Sequence, residues 1–331
     1  MTCLDVSAVL VAWNAGDTLA SCVTSLREAA REANAGLQVV IVDNASSDGA
    51  ADRIPLDAGD VKIRNPVNAG YGVAASQGLA LSAAPWVLLA NPDLVVSPTF
   101  FVHLAQVARK ASSDVATLVP EMRYASSPGT INCRGVTVDE LGVPAEIDAG
   151  AVAEAVVANG EPLGGSSGCC LLRLEAVRCV GGLELAYFAY LEDVDLAIRL
   201  ARAGYTSRFV EQAVAWHHGS AAAGSTSPLK TYLVARNRRL LFRLEAPGGV
   251  ALRLRRSVVE LGHAIVSSAL ASTIAPWTGR LDAVRLRSYT SFARRARLAN
   301  DDRAVPVPFT RRASLRAALR RKRAVVRASR H

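Results

Sequence analysis

Nearly unbroken apolar runs alternate with stretches of helical spacing through the first half of this chain. Val6 to Trp13 is one such run, the pattern of a strand buried on both faces. Thr18 to Ala35 follows at helical pitch, with Leu19, Cys22, Val23 and Leu26 on one face. Val39 to Val42 predicts a second buried strand, ending at Asp43-Asn44-Ala45-Ser46-Ser47-Asp48-Gly49. Val61–Ile63, a helix over Gly70–Leu81 and a strand over Trp86–Leu89 continue the alternation. This order predicts an α/β fold: a Rossmann-like, mostly parallel sheet with helices on both faces. Ligands of such sheets sit beyond the C-terminal strand ends, where Asp43 and Asp93 fall.

Thr99–Lys110 reads as a further helix and Val115–Val119 as a strand. Residues 121–165 are punctuated by Gly and Pro, with short β-like pieces such as Gly135-Val136-Thr137-Val138, and read as an inserted hairpin or flap. Cys169–Leu172 returns to the sheet and Leu191–Ala203 is helical. Beyond Pro228 the helices become increasingly basic. The pattern divides the chain into a domain over 1–235 and a basic helical region over 236–331, whose tail, 309–331, lies on a membrane surface or is disordered.

Charge sharpens that division. Residues 236–331 hold 23 Lys and Arg against 5 Asp and Glu, whereas residues 1–235 hold 15 against 24. A basic region on an acidic body fits an anionic surface. Only Phe242, Trp277, Tyr289, Phe292 and Phe309 are aromatic past residue 235, which offers no stacking platform for nucleic acid and leaves membrane lipid. No predominantly apolar run reaches eighteen residues; Ser257–Trp277, with Glu260 and His263 inside it, reads as a helix lying on a membrane or packed on the body. Six cysteines without C-x-x-C spacing, and no signal peptide, point to reduced core thiols and a cytoplasmic location.

The chemistry concentrates at Tyr187-Phe188-Ala189-Tyr190-Leu191-Glu192-Asp193-Val194-Asp195-Leu196, where three carboxylates follow an aromatic cluster. Asp195 and Arg199 stand at i,i+4 and are expected to pair on the helix surface. Glu192 and Asp193 occupy the first turn, where the helix dipole would keep Asp193 ionised, as a general base must be. Upstream, Asn91-Pro92-Asp93 ends a buried strand in a turn that presents one carboxylate, suited to a hard divalent cation bridging donor phosphates. Asp43 can accept from a pyrimidine N–H or a ribose hydroxyl. The glycines and asparagines of residues 65–72 let backbone approach a ligand ahead of a helix N-terminus. No G-x-G-x-x-G follows the first strand, against a dinucleotide fold. One of His217 and His218 could complete the site of Asp93, or sit satisfied in the core. Together these features point to transfer of a group from a diphosphate donor to a hydroxyl.

Taken in order, Ala12-Trp13-Asn14, Val42–Gly49, Asn68-Ala69-Gly70-Tyr71-Gly72, Asn91-Pro92-Asp93, Gly165–Leu172, Gly181-Gly182-Leu183, Tyr190–Leu196, His217-His218-Gly219-Ser220 and Ala235-Arg236-Asn237-Arg238 resemble the inverting family 2 glycosyltransferases of GT-A fold. The resemblance covers residues 5–240 and is strongest to the bacterial rhamnosyltransferase branch. It implies that Asp43 contacts the nucleobase and that Asp93 is the last acid of a D-x-D metal motif, with Asn91 in place of the first. It implies donor binding also by Asn14, Asn68 and Gly70, acceptor binding by Gly168, Tyr190 and Glu192, and catalysis by Asp193 as base. His217, with His218 as the alternative, would join Asp93 on Mg²⁺ or Mn²⁺. The implied donor is a nucleotide-diphosphate sugar, first dTDP-L-rhamnose, with UDP-galactofuranose, UDP-GlcNAc or UDP-glucose as alternatives. The implied acceptor is a glycan or polyprenyl-linked hydroxyl at the inner face of the cell membrane; a non-catalytic nucleotide-sugar-binding protein is the other reading. Ser76, where relatives carry asparagine, and Trp13, where they carry tyrosine, depart from the pattern.

Overall fold

The computed structural model describes residues 4–157, 160–219, 227–245, 250–271 and 273–285. The expected tail helix over 309–331 lies outside the described residues. In chain order the elements are β1 (Asp5–Ala12), α1 (Thr18–Glu32), β2 (Gly36–Asp43), β3 (Val61–Arg64), α2 (Tyr71–Leu81), β4 (Trp86–Ala90), β5 (Leu94–Val96), α3 (Phe100–Lys110), β6 (Val115–Tyr124) and β7 (Ser127–Cys133). They continue with β8 (Val136–Val138), β9 (Pro144–Glu146), β10 (Cys169–Arg173), α4 (Leu174–Cys179), α5 (Glu192–Arg202), β11 (Thr206–His217), α6 (Pro228–Glu245), α7 (Val250–Ala271) and α8 (Ala275–Arg285).

One sheet carries the strand order β3-β2-β1-β4-β10-β6-β11-β5, with β7 added beside β6. β3, β2, β1 and β4 are mutually parallel. Along β1, Val6, Ala8 and Leu10 join the core under α1 and α3, whereas Val9 and Val11 join the core under α2 and α5. Burial on both faces is why the strand is a continuous apolar run and not an alternating one. The predicted fold class holds, with differences in detail. No helix separates β2 from β3; residues 44–60 form turns, anchored where Asp60 accepts from the Val39 amide at 2.7 Å and from Arg27 at 2.6 Å. β10 runs antiparallel to both β4 and β6, and β11 antiparallel to β5.

The predicted insertion begins later than residue 121, because β6 runs on to Tyr124. Glu121 is fully buried in that strand and paired with Arg123 at 2.6 Å and Arg134 at 2.7 Å. A third apolar cluster joins Val136, Val138 and Leu163 of the insertion to Val194, Ala197 and Ile198 of α5, Leu240 and Leu241 of α6, and Ala283 of α8. The division expected at residue 235 therefore falls inside α6, a helix whose apolar side chains share a core with α5. This covering also corrects the expected surface pair. Asp195 and Arg199 do pair, at 2.6 Å and 2.9 Å, but Asp195 has no exposure and Arg199 is 6% exposed. Among the described residues no helix is long and apolar enough to cross a membrane.

Candidate active site

One side of the candidate site is made of loops that leave the C-terminal ends of β1, β2, β3 and β4. Asp43 ends β2 and is buried; its carboxylate accepts from the Ser46 amide at 2.9 Å and lies 3.5 Å from Arg64. Asn14 follows β1 at φ 49 and holds the adjoining loop, accepting from the Ser47 amide at 2.8 Å. Asn68 shapes its own loop: its side-chain oxygen accepts from Asn44 at 2.8 Å and from the Gly70 amide at 3.0 Å. Gly70 is needed for two reasons. It adopts φ 85, and a Cβ there would fall 2.5 Å from the Phe188 ring. Ser76 turns its hydroxyl back onto the Gly72 carbonyl at 2.7 Å.

Beyond β4, Asn91 and Asp93 meet His217. β11 pairs antiparallel with β5 so that His217 stands opposite Leu94, next to Asp93. Its Nε2 is 3.1 Å from Asp93 Oδ1 and 3.2 Å from Asn91 Nδ2, and its Nδ1 is 3.3 Å from Asn132 Oδ1. Register thus selects His217; His218 is exposed and gives only its backbone amide to the Asp93 carbonyl, at 3.0 Å. As the amides are placed, Asn132 takes the Nδ1 proton and Asn91 donates to Nε2. The Asp93 carboxylate thus lies beside the ring nitrogen that Asn91 also faces. Among the described residues no group of three or more His, Cys, Asp and Glu gathers there.

The acidic pair lies at the head of α5. The Asp193 carboxylate accepts from the Ser167 amide at 3.1 Å and from the Val194 amide at 2.8 Å. Burial nevertheless raises its pKa, opposed by those amides, so the helix dipole expected to hold it low does not dominate. Burial first, and then the charge of Asp193, push Glu192 up to about 8. Glu192 Oε2 and Ser167 Oγ are both buried, and the Ser167 hydroxyl lies close enough to Glu192 to oppose part of that rise. Asn91 and Asp193 are linked through residues 167 and 168. The Asn91 amide donates to the Gly168 carbonyl at 2.8 Å, while the Ser167 amide reaches Asp193. Tyr71 donates to the Ser167 carbonyl at 3.0 Å and steadies that strip from α2.

The segment before α5 is under backbone strain. Phe188, Tyr190 and Leu191 all have positive φ, at 64, 70 and 69. Such conformations cost about 1–3 kcal/mol each and persist only where the surroundings enforce them. Asn237 of α6, fully buried, donates to the carbonyls of Tyr187, Ala189 and Tyr190 at 2.9, 2.7 and 2.7 Å. Arg236 donates to those of Ala186 and Tyr187 at 2.9 and 2.6 Å. Lys230, at the start of α6, sits 5.4 Å from the Tyr190 ring centre. The sequence alone gives Arg236 and Asn237 no role and does not mark Asn132 or the Tyr71 hydroxyl. A polar pair inside a helix was the available signal for the first two.

Residues 7–180 match the family described as Glycosyl transferase family 2. The chain belongs to that family. It is therefore a glycosyltransferase, and its sheet and helices are those of the GT-A fold. Over 213 residues, 57% of this chain and 68% of the relative, it is 31% identical to the N-acetylglucosaminyl-diphospho-decaprenol L-rhamnosyltransferase of Mycobacterium tuberculosis, in strains H37Rv and CDC 1551. Among solved structures, the mannosyltransferase PcManGT of Pyrobaculum calidifontis, in complex with GDP-Man and Mn²⁺, aligns over 99% of this chain and 87% of its own at 13% identity and TM-score 0.53. S. aureus TarS 1-349 in complex with UDP-GlcNAc aligns over 99% and 90% at 14% identity, also with TM-score 0.53.

Proposed function

We propose that this glycosyltransferase moves L-rhamnose from dTDP-L-rhamnose to a hydroxyl of a lipid-linked glycan, by single displacement with inversion. The observation that carries the reading is the strip at residues 167 and 168, which ties the Asn91-Asp93-His217 end to Asp193 through two backbone hydrogen bonds. A donor carbon held at the first end faces a base at the second. Support for rhamnose comes from the mycobacterial relative, whose name gives that sugar and a diphospho-decaprenol acceptor. The basic region over 236–331 fits an acceptor held at the anionic inner face of a membrane.

The residues at Asp93 fit a divalent cation. A carboxylate and an imidazole face each other 3.1 Å apart, and adjacent ligands of an octahedral ion with bonds of about 2.1 Å lie about 3.0 Å apart. Asp93 and His217 would hold Mg²⁺ or Mn²⁺, which when bound supplies positive charge to the leaving diphosphate. PcManGT is similar in fold and was crystallised with Mn²⁺.

The remaining chemistry belongs to the chain. Asp43 receives the base or ribose of the nucleotide. Asp193 accepts the acceptor hydroxyl proton as that oxygen bonds to the anomeric carbon and the bond from that carbon to the diphosphate oxygen breaks. No enzyme nucleophile is needed, and the configuration inverts. Glu192 and Ser167, buried beside each other, would turn toward the acceptor hydroxyls beside Tyr190 and Gly168. The test is a donor panel of dTDP-rhamnose, UDP-galactofuranose, UDP-GlcNAc, UDP-glucose and GDP-mannose. Turnover is expected with dTDP-rhamnose. Turnover confined to another donor would overturn the sugar, and a product of retained configuration would overturn the mechanism.

A further inference from the structure

Helix α7 buries Arg256 and Glu260 and turns a row of apolar residues outward. On its covered side, Arg256, Glu260 and Ala264 are 6%, 5% and 3% exposed. Arg256 donates to the Leu141 carbonyl at 2.7 Å, and Glu260 pairs with Arg238 at 2.8 Å and Arg280 at 3.6 Å. On the opposite side Leu254, Val258, Leu261 and Ile265 are 62%, 70%, 45% and 54% exposed. At helical pitch these four fall on one stripe about 17 Å long. The neighbouring segment adds Ile274 at 74%, with Trp277 at 37% and Leu281 at 66% on α8. A helix that buries Arg256 and Glu260 against the body and offers aliphatic side chains to solvent at regular spacing is built to meet a non-aqueous surface.

We infer that the α7 stripe, with Trp277 and Leu281 of α8, is the surface by which this protein seats in the interface of an anionic lipid bilayer. Charge selects the occupant. Residues 236–331 carry 23 basic and 5 acidic residues, and Arg255 stands exposed on α7 beside the stripe. A second copy packed face to face would bring like charges together. The chain beyond α8, residues 286–331, has 14 basic and 2 acidic residues, so as a cover it would set cation against cation. An anionic bilayer takes the apolar side chains together with Arg255 and suits the excess of positive charge in residues 236–331. The inference deepens the proposal of a lipid-linked acceptor and rests on it for its purpose, although the surface is argued from α7 and α8 alone.

The test uses the full chain and vesicles of phosphatidylglycerol or of phosphatidylcholine. Substituting Leu254, Val258, Leu261 and Ile265 together by serine keeps every charge. It should weaken binding to phosphatidylglycerol vesicles by about tenfold or more and abolish the part that survives high salt. The four side chains are exposed, so the melting temperature and dTDP-rhamnose hydrolysis should stay at wild-type values. Deleting residues 286–331 should leave the salt-resistant part in place. Unchanged vesicle affinity in the serine variant would overturn the inference. So would a wild-type dimer that the variant loses, or a stripe that binds vesicles only after the deletion. Vesicle binding as expected without turnover of any sugar donor would count against the proposed reaction and leave the surface standing.

Discussion

The two sides of the candidate site are built by different means. On the side proposed to take the donor, strand ends deliver Asp43, Asn91 and Asp93, and asparagines hold the loops that follow, as Asn68 accepts from Asn44 at 2.8 Å. On the side proposed to take the acceptor, residues 188–191 carry three non-glycine positive-φ conformations and are held by Arg236 and Asn237 of α6. Gly70 joins the two, because its missing Cβ lets the Phe188 ring approach the donor loop. The difference teaches that Asp43 and its loops depend on the parallel strands, whereas Asp93 depends also on β11 for His217 and residues 188–191 depend on α6.

The comparison can be broken most severely at its junction. Asp193→Asn keeps the shape but cannot take a proton, so transfer should fall by about 10²–10⁴ while donor affinity stays within about threefold. Transfer near the wild-type rate would move the base to Glu192. Asp93→Ala should cost about 10²–10³ in transfer and, unlike Asp193→Asn, should weaken donor binding, as measured by titration with dTDP-rhamnose. EDTA should reproduce that loss in the wild type; full activity in EDTA would leave Asp93 as a turn residue or a direct sugar contact.

Asn237→Ala sharpens the contrast from the acceptor side. Removing it leaves the Ala189 and Tyr190 carbonyls without that donor, while Tyr187 keeps Arg236, at a cost of about 1–3 kcal/mol in stability. A displaced loop should lower transfer by about 10- to 100-fold, with donor affinity unchanged. Equal loss of donor and acceptor binding would show that the two sides are not built separately.

The smallest expected effect is on pH dependence. The Glu192 carboxyl is raised from 4.5 to about 8, so the folded chain keeps a proton that the unfolded chain has released in that window. Its contribution to stability is therefore full below pH 4.5 and is lost as pH climbs to about 8. Glu192→Gln should remove that decline in the melting temperature. It should leave the acid limb of kcat/KM in place, because Glu192 already carries its proton where Asp193 titrates. A limb moved to lower pH would show that Glu192 is charged there and acts on Asp193.

The acidic centres and the parallel half of the sheet were legible in the chain itself. Burial on both faces writes a strand as a continuous apolar run, and strand ends place Asp43 and Asp93 where ligands collect. Spacing also paired Asp195 with Arg199, yet it could not tell surface from core, since what covers α5 comes from α6 and α8. The adjacent histidines were equivalent in sequence; the antiparallel register of β11 on β5 separates them. Periodicity reports how one segment meets its immediate surroundings. The clamp of Asn237, the raised carboxylates of Glu192 and Asp193, and the outward apolar stripe of α7 depend on which distant segments arrive beside them, and only packing decides that.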